Sequence, residues 1–186
     1  MTRRTIVELI AQANSTLPDN VTGLIDPADV RNMILDFLDT VRPSYAVIQI
    51  GSVGQSKAVT TIYSTFTWST TYIAQAPDWT TSLASGTLQR SGGPATTRLT
   101  FNIDVVAPNN SITTFGLFVN GVETPWAVSN TSTSSTDRQS YAMSAVVYDT
   151  SATIQYQIQV KSTVAGNIVL SNASLVAENV PVNTNA

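Results

Sequence analysis

The sequence predicts a mainly β chain, with a short two-helix N-terminal segment followed by an antiparallel β-sandwich or barrel. Three observations predict it. Residues 17–41, LPDNVTGLIDPADVRNMILDFLDTV, carry an apolar stripe at helical spacing. From Tyr45 onward the apolar residues alternate with a period of two. The charges are concentrated in the leader, which holds Arg3, Arg4, Glu8, Asp19, Asp26, Asp29, Arg31, Asp36, Asp39 and Arg42, while the much longer remainder carries them singly. The expected organisation is a helical leader over 1–43, a β-body over 44–180 and a frayed tail over 181–186.

The first helix is expected to start at Thr5. Thr5-Ile6-Val7-Glu8 has the form of a capping box, and Ile6, Leu9, Ile10 and Ala13 fall on one face. A Pro18-Asp19-Asn20 turn closed by Gly23 follows. The second helix is more fully specified. Asp26 is its N-cap, Pro27 occupies the first position where no amide proton is needed, and Asp29 sits at the positive end of the dipole. Ile25 and Val30 form a hydrophobic staple. Val30, Met33, Ile34, Phe37, Leu38 and Val41 make one stripe, and Pro43 ends the helix. Helices this short are marginal alone in water, so the stripe requires a partner. That partner is either an open end of the chain's own β-body or another protein.

In the body, YAVIQIG opens the β-region. Leu99, Phe101, Ile103 and Val105 alternate with polar residues, as do Phe115, Leu117 and Val119, which run into the hairpin signal Asn120-Gly121. YAMSAVVYD follows, and then Ile154, Tyr156, Ile158 and Val160 set against Gln155, Gln157, Gln159 and Lys161. GNIVLSNASLVAENV supplies a last strand or pair, with weaker strands in AVTTIYSTFTWSTTYI and SGTLQR. About eight to ten strands are expected, at the turn spacing of a sandwich or barrel.

Composition narrows the function. Of 186 residues, 42% are hydrophobic, enough for a core, and 11% are charged, against ~25% in ordinary soluble proteins. Thr, Ser and Asn cover the surface instead. A net charge of −3 argues against a nucleic-acid partner. With no Cys and no His, disulfides, thiolate metal sites and the usual general base are excluded, and no cofactor is expected. Arg3 and Arg4 before TIVELIA imitate a signal peptide, but Glu8, Gln12 and Asn14 interrupt the run, and no window is apolar enough to span a membrane.

Catalytic chemistry finds little support. The body acids Asp78, Asp104, Glu123, Asp137, Asp149 and Glu178 are unpaired in sequence, whereas glycoside hydrolysis needs two facing carboxylates. Gly51 to Lys57, GSVGQSK, lacks the Lys-Ser/Thr ending and the following helix of a phosphate loop. Sequons at Asn20, Asn130 and Asn172 match chance in so Asn- and Thr-rich a chain. Among the aromatics, Tyr63, Phe66, Trp68 and Tyr72 read as core. Trp79 and Trp126, each beside a Pro, are the candidate ligand contacts, since exposed indoles stack on sugars or anchor interfaces.

Two parts of the chain resemble known families. Leu17-Pro18-Asp19-Asn20, Thr22-Gly23, Ile25-Asp26-Pro27, Val30-Arg31 and Ile34-Leu35-Asp36 resemble N-terminal segments of tailed-phage decoration and head-fibre proteins. FGLFVNGVE, YDTSATIQYQIQVKS and IVLSNASLVAENV resemble strands of the trimeric jelly rolls of the tumour-necrosis-factor and complement globular-head type, with Asp149-Thr150 where those carry Gly-Asp.

The resemblance implies a jelly-roll body that forms a homotrimer. Phe118, Tyr156 and Ile158 then become candidates for the trimer interface, because the resembling strands line the three-fold axis. It implies a virion location, with Leu17, Pro18, Ile25, Val30, Met33, Ile34, Phe37, Leu38 and Val41 anchoring the chain to a capsid or fibre-base protein. The alternative is a tail-fibre tip that binds host surface glycan. A third reading, a sandwich hydrolase, lacks its His and its paired acids.

Overall fold

The computed structural model describes residues 11–12, 30–35, 44–50, 55–67, 72–75, 78–92 and 95–180. The chain divides into two units, Met1–Pro43 and Ser44–Ala186. In the first, residues 11–12 and 30–35 are helical. Within the expected stripe, Val30 and Met33 are half-buried and Ile34 is exposed. The rest of the two expected helices, with Leu17, Pro18, Ile25, Phe37, Leu38 and Val41, lies outside the described residues, as does the expected frayed tail.

The second unit is built from twelve strands among the described residues: β1 (Tyr45–Ile50), β2 (Gln55–Val59), β3 (Ser64–Thr65), β4 (Tyr72–Gln75), β5 (Trp79–Ser82), β6 (Thr87–Ser91), β7 (Ala95–Val106), β8 (Ser111–Val119), β9 (Val122–Ser132), β10 (Arg138–Asp149), β11 (Thr153–Ser162) and β12 (Gly166–Val180). The first sheet has the order β10-β7-β12-β1-β4, with β2 also beside β12. The second has the order β5-β6-β11-β8-β9, with β3 also beside β11. All pairings are antiparallel. From β7 to β12 the chain changes sheet at every connection except β8 to β9, which is the winding of a jelly roll.

Period-two patterning builds the core directly. Thr97, Leu99, Phe101, Ile103 and Val105 of β7 point inward and are buried, as are Ile154, Tyr156, Ile158 and Val160 of β11. Phe115 of β8 is the aromatic centre, with ring centroids 4.9 Å from Tyr141, 5.4 Å from Phe101 and 6.1 Å from Phe66. GNIVLSNASLVAENV forms one strand rather than two. Its register shifts between Leu170 and Asn172, so Ile168 and Leu170 before the bulge and Ala173, Leu175 and Ala177 after it all face the core. The Asn120-Gly121 hairpin forms as expected, with φ of 51° and 79°.

The sequence did not signal β5, and it signalled β9 only through the hairpin turn that precedes it. Pro125 sits within β9, an edge strand, where its missing amide proton leaves no ladder bond unmade.

Candidate interaction surface

The first sheet packs one face on the core and presents the other outward. Cross-strand register arranges that outer face in rows. Tyr148, Thr96 and Val180 form one; Val146, Arg98, Glu178 and Tyr45 the next; Ser144, Thr100, Val176 and Val47 a third. Tyr148 is 65% exposed, Val146 50% and Tyr45 39%, while Val47, Val176 and Val180 are half-buried. Aliphatic and aromatic groups thus run across four strands, with Arg98 and Glu178 side by side as their only charged pair. A face of this kind suits burial against another protein surface.

The outer face of the second sheet differs. Gln155 donates to Gln89 at 2.9 Å, Gln159 to Gln157 at 2.8 Å, and Gln157 to the Ser85 carbonyl at 2.7 Å. These amides satisfy each other. Beside them Tyr63 lies across the sheet, edge-on to Phe118 at 5.2 Å, with the Lys161 ammonium 4.1 Å from its ring centre. Gly116 makes this crossing feasible, since a Cβ there would stand 3.0 Å from the Tyr63 hydroxyl. Burial, then the neighbouring Glu123 carboxylate, raises the Tyr63 phenol above its ordinary pKa.

At one end of the sandwich, polar side chains are turned inward. Ser44 donates its hydroxyl to Asp78 and accepts the Trp79 indole N–H at 2.8 Å. Its carbonyl accepts the Asn179 amide at 2.8 Å. Asp78 lies 3.6 Å from the buried Arg90 guanidinium. Trp79 in turn tilts over Tyr156 at 6.0 Å. Burial pushes the Tyr156 phenol up to about 12, opposed by the Thr97 hydroxyl and the Arg90 charge. Ser44, Trp79, Arg90, Thr97 and Tyr156 are all buried, so the network braces the interior and meets no substrate. Nearby, the Ser151 hydroxyl and amide lower the Asp149 pKa, the amide bonding at 2.6 Å. Among the described residues, no three His, Cys, Asp or Glu gather closely enough to hold a metal.

Solved structures share this arrangement. The PRD1 vertex protein P5 is similar at 12% identity, over 74% of this chain and 97% of that one, with a TM-score of 0.50. Murine APRIL at pH 5.0 is similar at 10% identity, over 75% and 100%, with a TM-score of 0.51. Eiger TNF from S. frugiperda is similar at 11% identity, over 78% and 98%, with a TM-score of 0.50. The jelly roll is shared. No family model matches the sequence, and no curated protein matches it.

Within this jelly roll, several expected site residues move. Tyr156 and Ile158 were expected at a trimer interface; both are fully buried in the sandwich interior, out of reach of a second copy. The reason is the alternation itself, which turns the apolar side of β11 inward and leaves its glutamines outside. Phe118 does face outward from β8, but the chain's own Tyr63 covers it. Trp79, expected as a ligand contact, is buried, because Ser44 supplies an interior partner for its indole N–H. Trp126 lies in β9 rather than a Pro turn and packs half-buried against the core. Phe66 is core as expected; Tyr63 is not. Tyr45, Val146 and Tyr148 are exposed, Val146 and Tyr148 at positions of β10 opposite in parity to the buried Tyr141, Ala145 and Val147, the one signal in the sequence that marks them as outward.

Proposed function

We propose that the chain is a structural virion protein, fixed to the phage capsid through its N-terminal leader and displaying its jelly roll as a homotrimeric decoration or head fibre. The observation that supports this best is the shared fold of a phage vertex protein, nearly all of which this chain covers. The leader resembles decoration and head-fibre segments, and its apolar stripe needs a partner. The outer face of the first sheet, with Tyr45, Val146 and Tyr148 exposed, provides a surface for self-association about a three-fold axis. The carbohydrate-binding reading is weakened by the inward placement of Trp79 and Trp126, the indoles on which it rested.

Deleting Met1 to Arg42 tests the anchoring. The truncated body should fold, remain trimeric by light scattering and fail to bind particles. Phe37→Asp in the full chain should weaken binding too, since a charge would enter an apolar contact at a cost of roughly several kcal/mol. Full occupancy of particles by the truncated body would show that the leader is not the anchor. Aggregation of that body would show that the leader completes the body's own core.

A further inference from the structure

The register of the two sheets gives the body two distinct ends. Tyr45 pairs with Glu178, Thr96 with Val180, and Tyr148 with Thr96, so β1 begins where β12 and β10 finish. The leader therefore joins at the same end from which the chain leaves after Val180. The Asn120-Gly121 turn and residues 149–152 lie at that end as well, since Thr153 pairs with Ser91 and Tyr156 with Val119. Ser44 fixes the point of entry. Its hydroxyl and carbonyl are held by Asp78, Trp79 and Asn179, and it is 4% exposed, so the first residue of the body is locked into the fold.

The opposite end carries residues 60–63, 107–110, 133–137 and 163–165, whose only charge is Asp137. Backbone bonds tie these turns together. The Ser162 amide donates to Thr60 at 2.8 Å, Thr163 to Ile112 at 3.0 Å, and the Ile112 amide to the Thr163 hydroxyl at 2.9 Å. Ile62, 73% exposed, and the exposed Ile112 and Val164 stand at this firm, nearly uncharged end.

We propose that the body stands on its support with the Ser44 end inward and the Ile62–Ile112–Val164 end outward, so that the surface formed by residues 120–121 and 149–152 faces the particle. This rests on the virion reading above. The absence of Cys makes the test direct. Single cysteines are placed at exposed turn positions, Thr150→Cys and Ala165→Cys, with Ser151→Cys and Asn109→Cys as a second pair should either of the first fail to fold. Particles carrying each variant are labelled with maleimide gold clusters, and the radial position of the gold is read by electron cryomicroscopy. β7 alone runs the length between the ends with 12 residues. At ~3.3 Å per residue, the Ala165 label should lie farther out than the Thr150 label by up to roughly 40 Å. Equal radii, or the reverse order, would overturn the proposed polarity. Purified particles that contain no protein by immunoblot would overturn the virion reading instead.

Discussion

Trp79 donates its indole N–H to the Ser44 hydroxyl at 2.8 Å, joining residues 35 positions apart. The same hydroxyl donates to Asp78, so one small side chain completes a buried partner and a half-buried one. Ser44→Ala leaves both short. The expected loss is about 1–3 kcal/mol, seen as a lower urea midpoint at unchanged slope. Trp79→Phe added to Ser44→Ala should cost less than the sum of the two. An unaltered midpoint in Ser44→Ala would mean that the contact contributes nothing to stability.

Tyr156 gives the body a weakness in strong alkali. Its phenol is raised from 10.0 to about 12, so the fold favours the neutral form. That contribution is fully present below pH 10 and is lost as pH rises toward 12, where the unfolded chain ionises first. Two units correspond to at most about 2.7 kcal/mol. Urea melts on either side of this window should show Tyr156→Phe losing less stability than the parent. Tyr63 and Tyr141 are raised too, so some slope should survive in the variant. Identical slopes would mean that Tyr156 is not the group responsible.

Gly116→Ala would push a methyl group to 3.0 Å from the Tyr63 hydroxyl. The ring must then lift from the sheet, at an expected cost of about 1–3 kcal/mol. In a Tyr63→Ala background the same change should be nearly silent. Thermal melts of the four-member cycle decide it, and equal costs in both backgrounds would place the strain elsewhere.

Under the proposed homotrimer, Val146→Asp with Tyr148→Asp should leave the body monomeric at micromolar concentration, read by light scattering. Gln155→Asp, on the other sheet's exposed face, is the control that should leave the trimer intact. A trimer that survives the double change would place the interface on another surface.

The strands that were legible in the sequence are those in which packing and patterning agree. β7 and β11 alternate without interruption, β8 and β10 over part of their length, and the left-handed Asn120-Gly121 turn follows from residue type alone. β9 was hidden because Pro125 and a Ser/Thr-rich stretch imitate a loop, and only its edge position makes the Pro acceptable. β12 reads from sequence as either one strand or a pair because its bulge reverses the parity of its apolar residues halfway along. The surface was harder to read. Which side of a strand faces inward is visible, but whether something else covers the outer side is not: Phe118 is hidden by a residue 55 positions earlier, Tyr63. Burial of Trp79 likewise depended on a distant hydroxyl.

The pairing of β1 with β12 has a consequence for synthesis. Tyr45 to Ile50 meet Glu178 to Ala173, so the earliest strand of the body is hydrogen-bonded to the latest. During translation β1 must wait for nearly the whole body to emerge before its main neighbour exists. The enclosed segment is long, and closing it makes folding slow compared with local pairing. The ribosome therefore releases the leader well before the β-body can close. If the leader's apolar stripe acts during that interval, it does so while β1 has only β4 available beside it and still lacks β12, and the order of events in assembly is set by how far apart in the chain the sheet draws its neighbours.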